Sequence, residues 1–101
     1  MADHHLVRRA KGPAWDHSRA RREQPGWDEH AAFMDELAAA GIVVLGGPLG
    51  EGDGEDALLV MAVPSEAEAR ERLAGDPWGE DMLVTSSIEP WTVLLRGPAT
   101  E

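Results

Sequence analysis

Two absences from this sequence exclude whole classes of protein. It contains no cysteine, which excludes disulfide bonds, thiolate metal sites and a cysteine nucleophile. No apolar run approaches the roughly 18 residues that a membrane-spanning helix needs, and the first residues lack the charged and then apolar pattern of a secretory signal. We therefore expect a soluble protein that is located in the cytoplasm and has no membrane partner.

Basic residues are few and unevenly distributed. The formal net charge is −10, and six of the nine Lys and Arg residues fall within residues 1–24. The remaining acidic body would repel nucleic acid and anionic membrane surfaces, so we expect no nucleic-acid partner. The basic stretch RRAKGPAWDHSRARR (8–22) is either a short nucleic-acid arm or a folded loop. Its GPAWD interruption favours the loop.

The length fits one domain, which we expect to span residues 1–101 with its core at about 5–96. Patterns of apolar and turn-forming residues predict helices at 27–40 and 65–75, and strands at 5–11, 42–47, 57–63 and 82–96. A turn-rich hairpin connection is predicted at 48–56. The order β-α-β-β-α-β predicts a ferredoxin-like α+β fold with a four-stranded antiparallel sheet.

Local signals predict where these elements begin and end. Asp28 is the expected N-cap of the first helix and Gly41 its C-terminal cap, while Ser65 opens the second helix. Pro90 must either bend the last strand or place it at a sheet edge, because proline lacks the backbone N–H that a central strand needs.

The two middle strands, IVVL and ALLVMAV, are apolar almost without alternation. A sheet with one face in water should instead alternate apolar and polar residues. Two helices can cover only one face of a four-stranded sheet, so the other face needs a cover. The simplest cover is a second copy of the chain, and we therefore predict a homodimer that pairs through the sheet face.

His30 lies on the apolar stripe of the first predicted helix. It is spaced three, seven and ten residues before Phe33, Leu37 and Ala40, which places all four side chains on one helix face. The histidine is therefore either a satisfied structural residue or a group held at the edge of the core for chemistry.

The predicted topology brings Asp76 close to His30. In a ferredoxin-like fold the start of the first helix and the end of the second lie at the same end of the domain, although these residues are 46 positions apart. A carboxylate on one ring nitrogen fixes the tautomer and leaves the other nitrogen as a base. Alternatively, Asp76 only caps the turn at Pro77 and Trp78.

Three segments together resemble the YCII-related domain family. They are WDEHAAFMDELAAAGIVVLGGPL (27–49), SEAEARERLAGDPW (65–78) and SIEPWTVLL (87–95). The resemblance implies a dimeric α+β barrel of ferredoxin-like subunits and a site around a His–Asp pair, which falls on His30 and Asp76. It also implies acid–base or dehydrohalogenase-like chemistry on small ring compounds, which has been proposed for some members.

Three further residues complete the predicted site. Arg9 is expected to receive an anionic substrate group, since strand alternation lets only one of Arg8 and Arg9 face a given side. Trp15 and Trp78 either form walls of a pocket for a flat ligand or fill the barrel end and the dimer interface. No spacing of histidines and carboxylates indicates a metal site, and no motif indicates a cofactor.

The sequence thus predicts a cofactor-independent small-molecule enzyme of the lyase or isomerase type. In this hypothesis His30 is the general base, Asp76 orients it and Arg9 binds the substrate. The alternative is a homodimer that binds a small ligand or regulates without catalysis. A third possibility is an interaction module in which His30 and Asp76 only hold the helix ends together.

Overall fold

All six predicted elements occur in the predicted order. A computed structural model describes residues 3–51, 54 and 56–97. The elements are β1 (His4–Lys11), α1 (Trp27–Ala39), β2 (Val43–Pro48), β3 (Asp56–Met61), α2 (Glu66–Leu73) and β4 (Leu83–Trp91). Among the described residues, the strands form one four-stranded antiparallel sheet in the order β2-β3-β1-β4. The predicted ferredoxin-like α+β fold is confirmed.

The core lies between the two helices and one face of the sheet. Val7, Leu59 and Met61 contribute sheet side chains that pack with Leu37 of α1 and Leu73 of α2. Because strand side chains alternate between faces, the residues between them point to the opposite face of the sheet.

Although β1 is rich in polar residues, it is a central strand, paired with both β3 and β4. Its polar side chains on the helix side are buried and have partners. His5 Nδ1 lies 3.0 Å from the carbonyl oxygen of Val63, and Arg9 Nη1 donates to Asp76. These hydrogen bonds reduce the desolvation penalty of burying the two side chains.

The prediction that Asp28 caps α1 was wrong. The helix begins at Trp27 and its N-cap is Gly26, whose φ of 79° lies in the left-handed region that glycine adopts readily. Asp28 instead lies in the first turn, where its carboxylate favourably faces the positive end of the helix dipole.

The other end of α1 follows the prediction. Gly41 has a φ of 76°, and the amide of Ile42 donates to the carbonyl of Leu37 over 2.9 Å, while Gly41 N–H donates to Ala38 over 3.0 Å. This pair of hydrogen bonds is a Schellman motif, which turns the chain sharply from α1 into β2.

The last strand is shorter than predicted, since it ends at Trp91 and not at residue 96. Trp91 pairs with His4, the first residue of β1, so within the described residues no neighbouring strand continues beyond that point. Pro90 lies in this edge strand, as one of its two predicted placements required.

Residues 12–26, between β1 and α1, form a folded loop that contains a short 3-10 helix at Arg21–Glu23. The side chain of Gln24 closes this loop. Its Nε2 donates to the carbonyls of Asp16 and Arg19 at 2.7 and 3.0 Å, and its Oε1 accepts from Asp16 N–H at 3.0 Å. The basic stretch at 8–22 therefore forms the end of β1 and part of this loop.

The predicted hairpin connection at 48–56 includes residues 52, 53 and 55, which lie outside the described part of the chain. Among the described residues, no helix combines the length and the apolar character needed to cross a membrane.

Candidate active site

His30 and Asp76 meet at one end of the domain. The first turn of α1 carries His30, and the loop that follows α2 carries Asp76. His30 Nδ1 lies 2.8 Å from Asp76 Oδ1 and 3.0 Å from Oδ2. The pair is shielded from water, since the side chains are 10% and 1% exposed respectively. Because an ionised carboxylate only accepts hydrogen bonds, the ring proton of a neutral His30 resides on Nδ1.

The same carboxylate also caps the turn that follows α2. Asp76 Oδ1 accepts a hydrogen bond from the backbone N–H of Trp78 at 2.9 Å, and Asp76 N–H donates to the carbonyl of Leu73 at 3.0 Å. The capping role and the contact with His30 therefore coexist, and the turn holds the carboxylate in place for the imidazole.

Arg9 belongs to the same cluster. Its Nη1 donates to Asp76 Oδ2 over 3.0 Å, and its side chain is only 3% exposed. Its Nε is buried and has no hydrogen-bond partner within the described chain. The neighbouring Arg8 points to the opposite face of the sheet, where it pairs with Asp56. The structure thus places Arg9 at the site and commits its Nη1 to the carboxylate.

The charge of Asp76 follows from these contacts. Burial by itself would raise the pKa of Asp76, but the hydrogen bonds from His30, Arg9 and the Trp78 amide together outweigh it and hold that pKa below its ordinary value. Asp76 is therefore ionised at neutral pH, and it can stabilise a positive charge on the imidazole.

One face of the His30 imidazole packs against a tryptophan ring. The indole of Trp78 stacks on the imidazole with ring centroids 4.1 Å apart and an interplanar angle of 14°. Trp15 packs edge-on against Trp78, with centroids 5.4 Å apart. The indole N–H of Trp78 donates to the carbonyl of Pro25 over 2.7 Å. These contacts leave the imidazole little freedom to rotate.

Beside His30 lies a cavity of about 290 Å³, which we call the His30 cavity. Its wall is mostly apolar and comes from α1, β2 and β3. Polar groups on the wall come from Arg9, Arg21, His30 and Asp35. Since Asp76 engages Nδ1 of His30, the nitrogen available to a ligand is Nε2. A small, largely apolar molecule therefore fits the chemistry of this cavity.

The predicted tryptophans lie behind this cavity and do not line it. Trp15 and Trp78 are buried at 5% and 2% exposure, and the tryptophan that lines the His30 cavity is Trp27. Trp78 lines a second cavity of about 250 Å³, to which Arg9 and Asp76 also contribute. Arg9, which pairs with Asp76, therefore lines both cavities.

Sequence reasoning did not single out Arg21 as a site residue. It lies in the 3-10 helix before α1 and lines the His30 cavity with only 9% exposure. The only sequence signal was the basic stretch itself, which does not distinguish a buried arginine from its exposed neighbours Arg19 and Arg22.

Within the described ranges, no group of three or more His, Cys, Asp or Glu residues could hold a metal ion. The chemistry that these residues offer is proton transfer at a carboxylate-supported imidazole.

Comparison with protein families gives one match. The model of the YCII-related domain matches residues 10–92, a range that includes His30 and Asp76 and begins just after Arg9. Searches of curated proteins and of solved structures found no match. Since the family model covers most of the chain, this protein belongs to the YCII-related domain family.

Proposed function

We propose that this protein is a small-molecule enzyme of the lyase or isomerase type, with His30 as its general base. One observation carries the proposal: the imidazole lines a mostly apolar cavity while a buried carboxylate holds its Nδ1 at 2.8 Å. This arrangement leaves Nε2 as the basic nitrogen and stabilises the imidazolium that forms when it takes a proton.

The proposed step is removal of a proton from a carbon atom of the substrate. His30 Nε2 takes the proton, and the electron pair of the broken C–H bond forms a double bond. In a lyase reaction a leaving group departs with its bonding electrons from the adjacent carbon. In an isomerase reaction the imidazolium returns the proton to a different carbon. Either course needs only the side chains of the His30 cavity and no cofactor.

Proton exchange tests this function without knowledge of the natural substrate. The protein is incubated in D₂O with a panel of small carboxylates that carry acidic C–H bonds, and NMR follows deuterium incorporation. We expect His30→Gln to abolish exchange and Asp76→Asn to slow it. His17→Gln is the matched control, because His17 is exposed and does not line the His30 cavity.

Each outcome has a defined meaning. If deuterium exchange survives in the His30→Gln variant, the assignment of His30 as the general base is refuted. Binding of panel compounds in the His30 cavity with no exchange would instead favour the alternative function, a non-catalytic ligand-binding protein.

We further propose that the working form is a homodimer that pairs through the sheet face opposite the helices. Leu6 and Leu58, which are half-buried, alternate with core residues and therefore point to that face. On the flanking strands Leu45 and Trp91 are 66% and 44% exposed. An apolar surface of this kind is typical of a subunit interface.

The oligomeric state tests the pairing directly. We expect light scattering after size-exclusion chromatography to give twice the chain mass, and Leu45→Glu to shift it to the monomer. Ala67→Glu, on the exposed surface of α2, is the control and should stay dimeric. A wild-type monomer at tens of micromolar would contradict the homodimer and leave the His30 assignment untouched.

A further inference from the structure

A second buried histidine, outside the His30 site, joins the start of the sheet to the segment that follows its last strand. His4 is the first residue of β1, and it is only 6% exposed although strand alternation places it on the sheet face opposite the helices. Its Nδ1 lies 2.8 Å from Asp3 Oδ1, and its Nε2 lies 2.9 Å from Arg96 Nη2. Both nitrogens of this imidazole are therefore engaged.

These contacts define which nitrogen of His4 carries the ring proton. Because an arginine only donates hydrogen bonds, Nε2 accepts from Arg96 and carries no proton itself. The proton of the neutral ring then lies on Nδ1, which donates to Asp3. That hydrogen bond holds the pKa of Asp3 below its ordinary value, so the aspartate is an ionised acceptor. The contact with Arg96 thus requires a neutral imidazole.

Arg96 lies in the segment that follows β4. The described residues 92–97 of this segment belong to no helix or strand, and Leu94 and Leu95 are 88% and 91% exposed. Burial of these two leucines therefore does not hold the segment in place. The hydrogen bond from Arg96 to His4 instead fastens it to β1, which is a central strand.

Protonation of His4 would make this contact unfavourable. An imidazolium carries a proton on each nitrogen, so Nε2 would present an N–H to an N–H of Arg96 at hydrogen-bond distance. Two positive charges would also adjoin at a buried ring, where solvent screens them poorly. Departure of Arg96 removes both penalties and lets water accept from Nε2, while Asp3 remains paired with Nδ1.

The other charged groups around His4 do not oppose its protonation. Asp3 is adjacent, with a side chain that is 82% exposed, and on β4 Glu89 lies on the same sheet face as His4. Both carboxylates favour a positive imidazole. Further along that face Arg8 of β1 is paired with Asp56 of β3. Among these described neighbours, the cation that opposes a charged His4 is therefore Arg96 itself.

We infer that His4 and Arg96 form a pH-sensitive latch: neutral His4 holds residues 92–97 against β1, and a proton on Nε2 releases them. Histidine suits this role, because it is the side chain that ordinarily changes charge between about pH 5 and 8. The latch is independent of the His30 site and of the reaction proposed there.

Backbone nitrogen-15 relaxation of the full chain tests the latch, since it reports the mobility of each amide. For residues 92–96 we expect order parameters near 0.85, as in a rigid backbone, at about pH 7.5, and below about 0.6 at about pH 5.5. Because one proton is linked to release, the ratio of released to held segment should rise by up to about tenfold for each unit of acidification. The order parameters of β1 should stay unchanged, which excludes general loosening of the fold.

Two variants separate the latch from other effects of pH. In His4→Gln the side-chain oxygen can still accept from Arg96 but the amide cannot gain a proton, so the segment should stay rigid at both pH values. In Arg96→Met the donor is lost, so the segment should be mobile at both. The matched controls are His17→Gln and Arg19→Met, which change an exposed histidine and an exposed arginine in the loop before α1. Both controls should respond to pH as the wild type does.

Three results would overturn the inference: wild-type order parameters that are the same at both pH values, a His4→Gln variant that keeps the wild-type response, or an Arg96→Met variant whose segment is as rigid as in the wild type. If His4→Gln does not fold, nitrogen-15 shifts of the wild-type His4 ring replace it. The neutral ring must carry its proton on Nδ1, and a dominant Nε2–H form would equally refute the latch.

Discussion

Replacing Asp76 with Asn tests whether its carboxylate holds the end of the domain together. The carboxylate accepts from Arg9 Nη1 at 3.0 Å, from His30 Nδ1 at 2.8 Å and from the Trp78 amide at 2.9 Å. Asparagine has nearly the same shape, but it has no charge and only one acceptor oxygen. It can retain the hydrogen bond to the Trp78 amide, while Arg9 becomes a buried cation without a counter-charge.

The size of the effect follows from burial. The Arg9 and Asp76 side chains are 3% and 1% exposed, so solvent cannot replace the lost partner. Breaking a buried ion pair from one side costs about 3–5 kcal/mol, and we expect Asp76→Asn to lower the free energy of unfolding by about that amount. Urea unfolding at neutral pH, followed by tryptophan fluorescence, measures it.

A partly exposed pair with the same separation is the control. Arg8 Nη1 also lies 3.0 Å from its aspartate, Asp56, but these side chains are 43% and 32% exposed. We expect Asp56→Asn to cost only about 0–1 kcal/mol, because water screens the charges and hydrates the remaining arginine. If Asp76→Asn and Asp56→Asn both lower the free energy of unfolding by the same small amount, the reasoning from burial is refuted.

The pH dependence of the free energy of unfolding supplies an independent check, because the direction of the change with pH can be predicted. The pKa of Asp76 is lower in the folded protein than its ordinary value, because its hydrogen bonds outweigh burial. The contribution of the carboxylate to stability is therefore complete above about pH 4, and it is lost as the pH falls through the lowered pKa. The difference between wild type and Asp76→Asn should shrink in acid. A difference that is constant or grows in acid would contradict this account.

Two further measurements test the geometry around the site. Nitrogen-15 NMR of the His30 ring should show a neutral tautomer with its proton on Nδ1, because the Asp76 carboxylate can only accept; a dominant Nε2–H form would contradict the site. Gly41→Ala should lower the free energy of unfolding by about 1–2 kcal/mol, because φ is 76° there. Gly26→Ala should lower the free energy of unfolding by more than Gly41→Ala does, because its new Cβ would also lie 3.2 Å from Trp78 Nε1. If calorimetry shows equal losses for the two variants, that contact is contradicted.

Much of the fold could be predicted because its signals are local. The apolar period of α1, the glycine at its C-terminus and the Ser65 cap of α2, which accepts from Glu68 N–H at 3.1 Å, all lie within a few residues of what they control. The N-cap of α1 was mispredicted because two local signals for a helix start lie close together, and the wrong one was chosen. Asp28 has the right chemistry for a cap, but the left-handed conformation of Gly26 starts the helix two residues earlier than that interpretation required.

The end of β4 could not be predicted from its own residues. The segment TVLL after Trp91 is as apolar as a strand, but a strand continues only where a neighbour offers hydrogen bonds. That neighbour is β1, which begins at His4 and pairs there with Trp91. The boundary was therefore set by a pairing partner, His4, that lies 87 residues earlier in the sequence.

The sequence by itself determined which residues could meet. The order of elements, the antiparallel sheet and the handedness of the crossovers bring the start of α1 and the end of α2 to one rim, and so bring His30 towards Asp76. Only the tertiary structure decided what each side chain does there. In the structure, Arg9 donates a hydrogen bond to Asp76, and Arg21 lines the His30 cavity. The rings of Trp15 and Trp78 pack on the side of the imidazole away from that cavity. The physical reason is that topology follows from local periodicity and chirality, whereas side-chain pairing depends on rotamers and loop paths that are settled when the core packs.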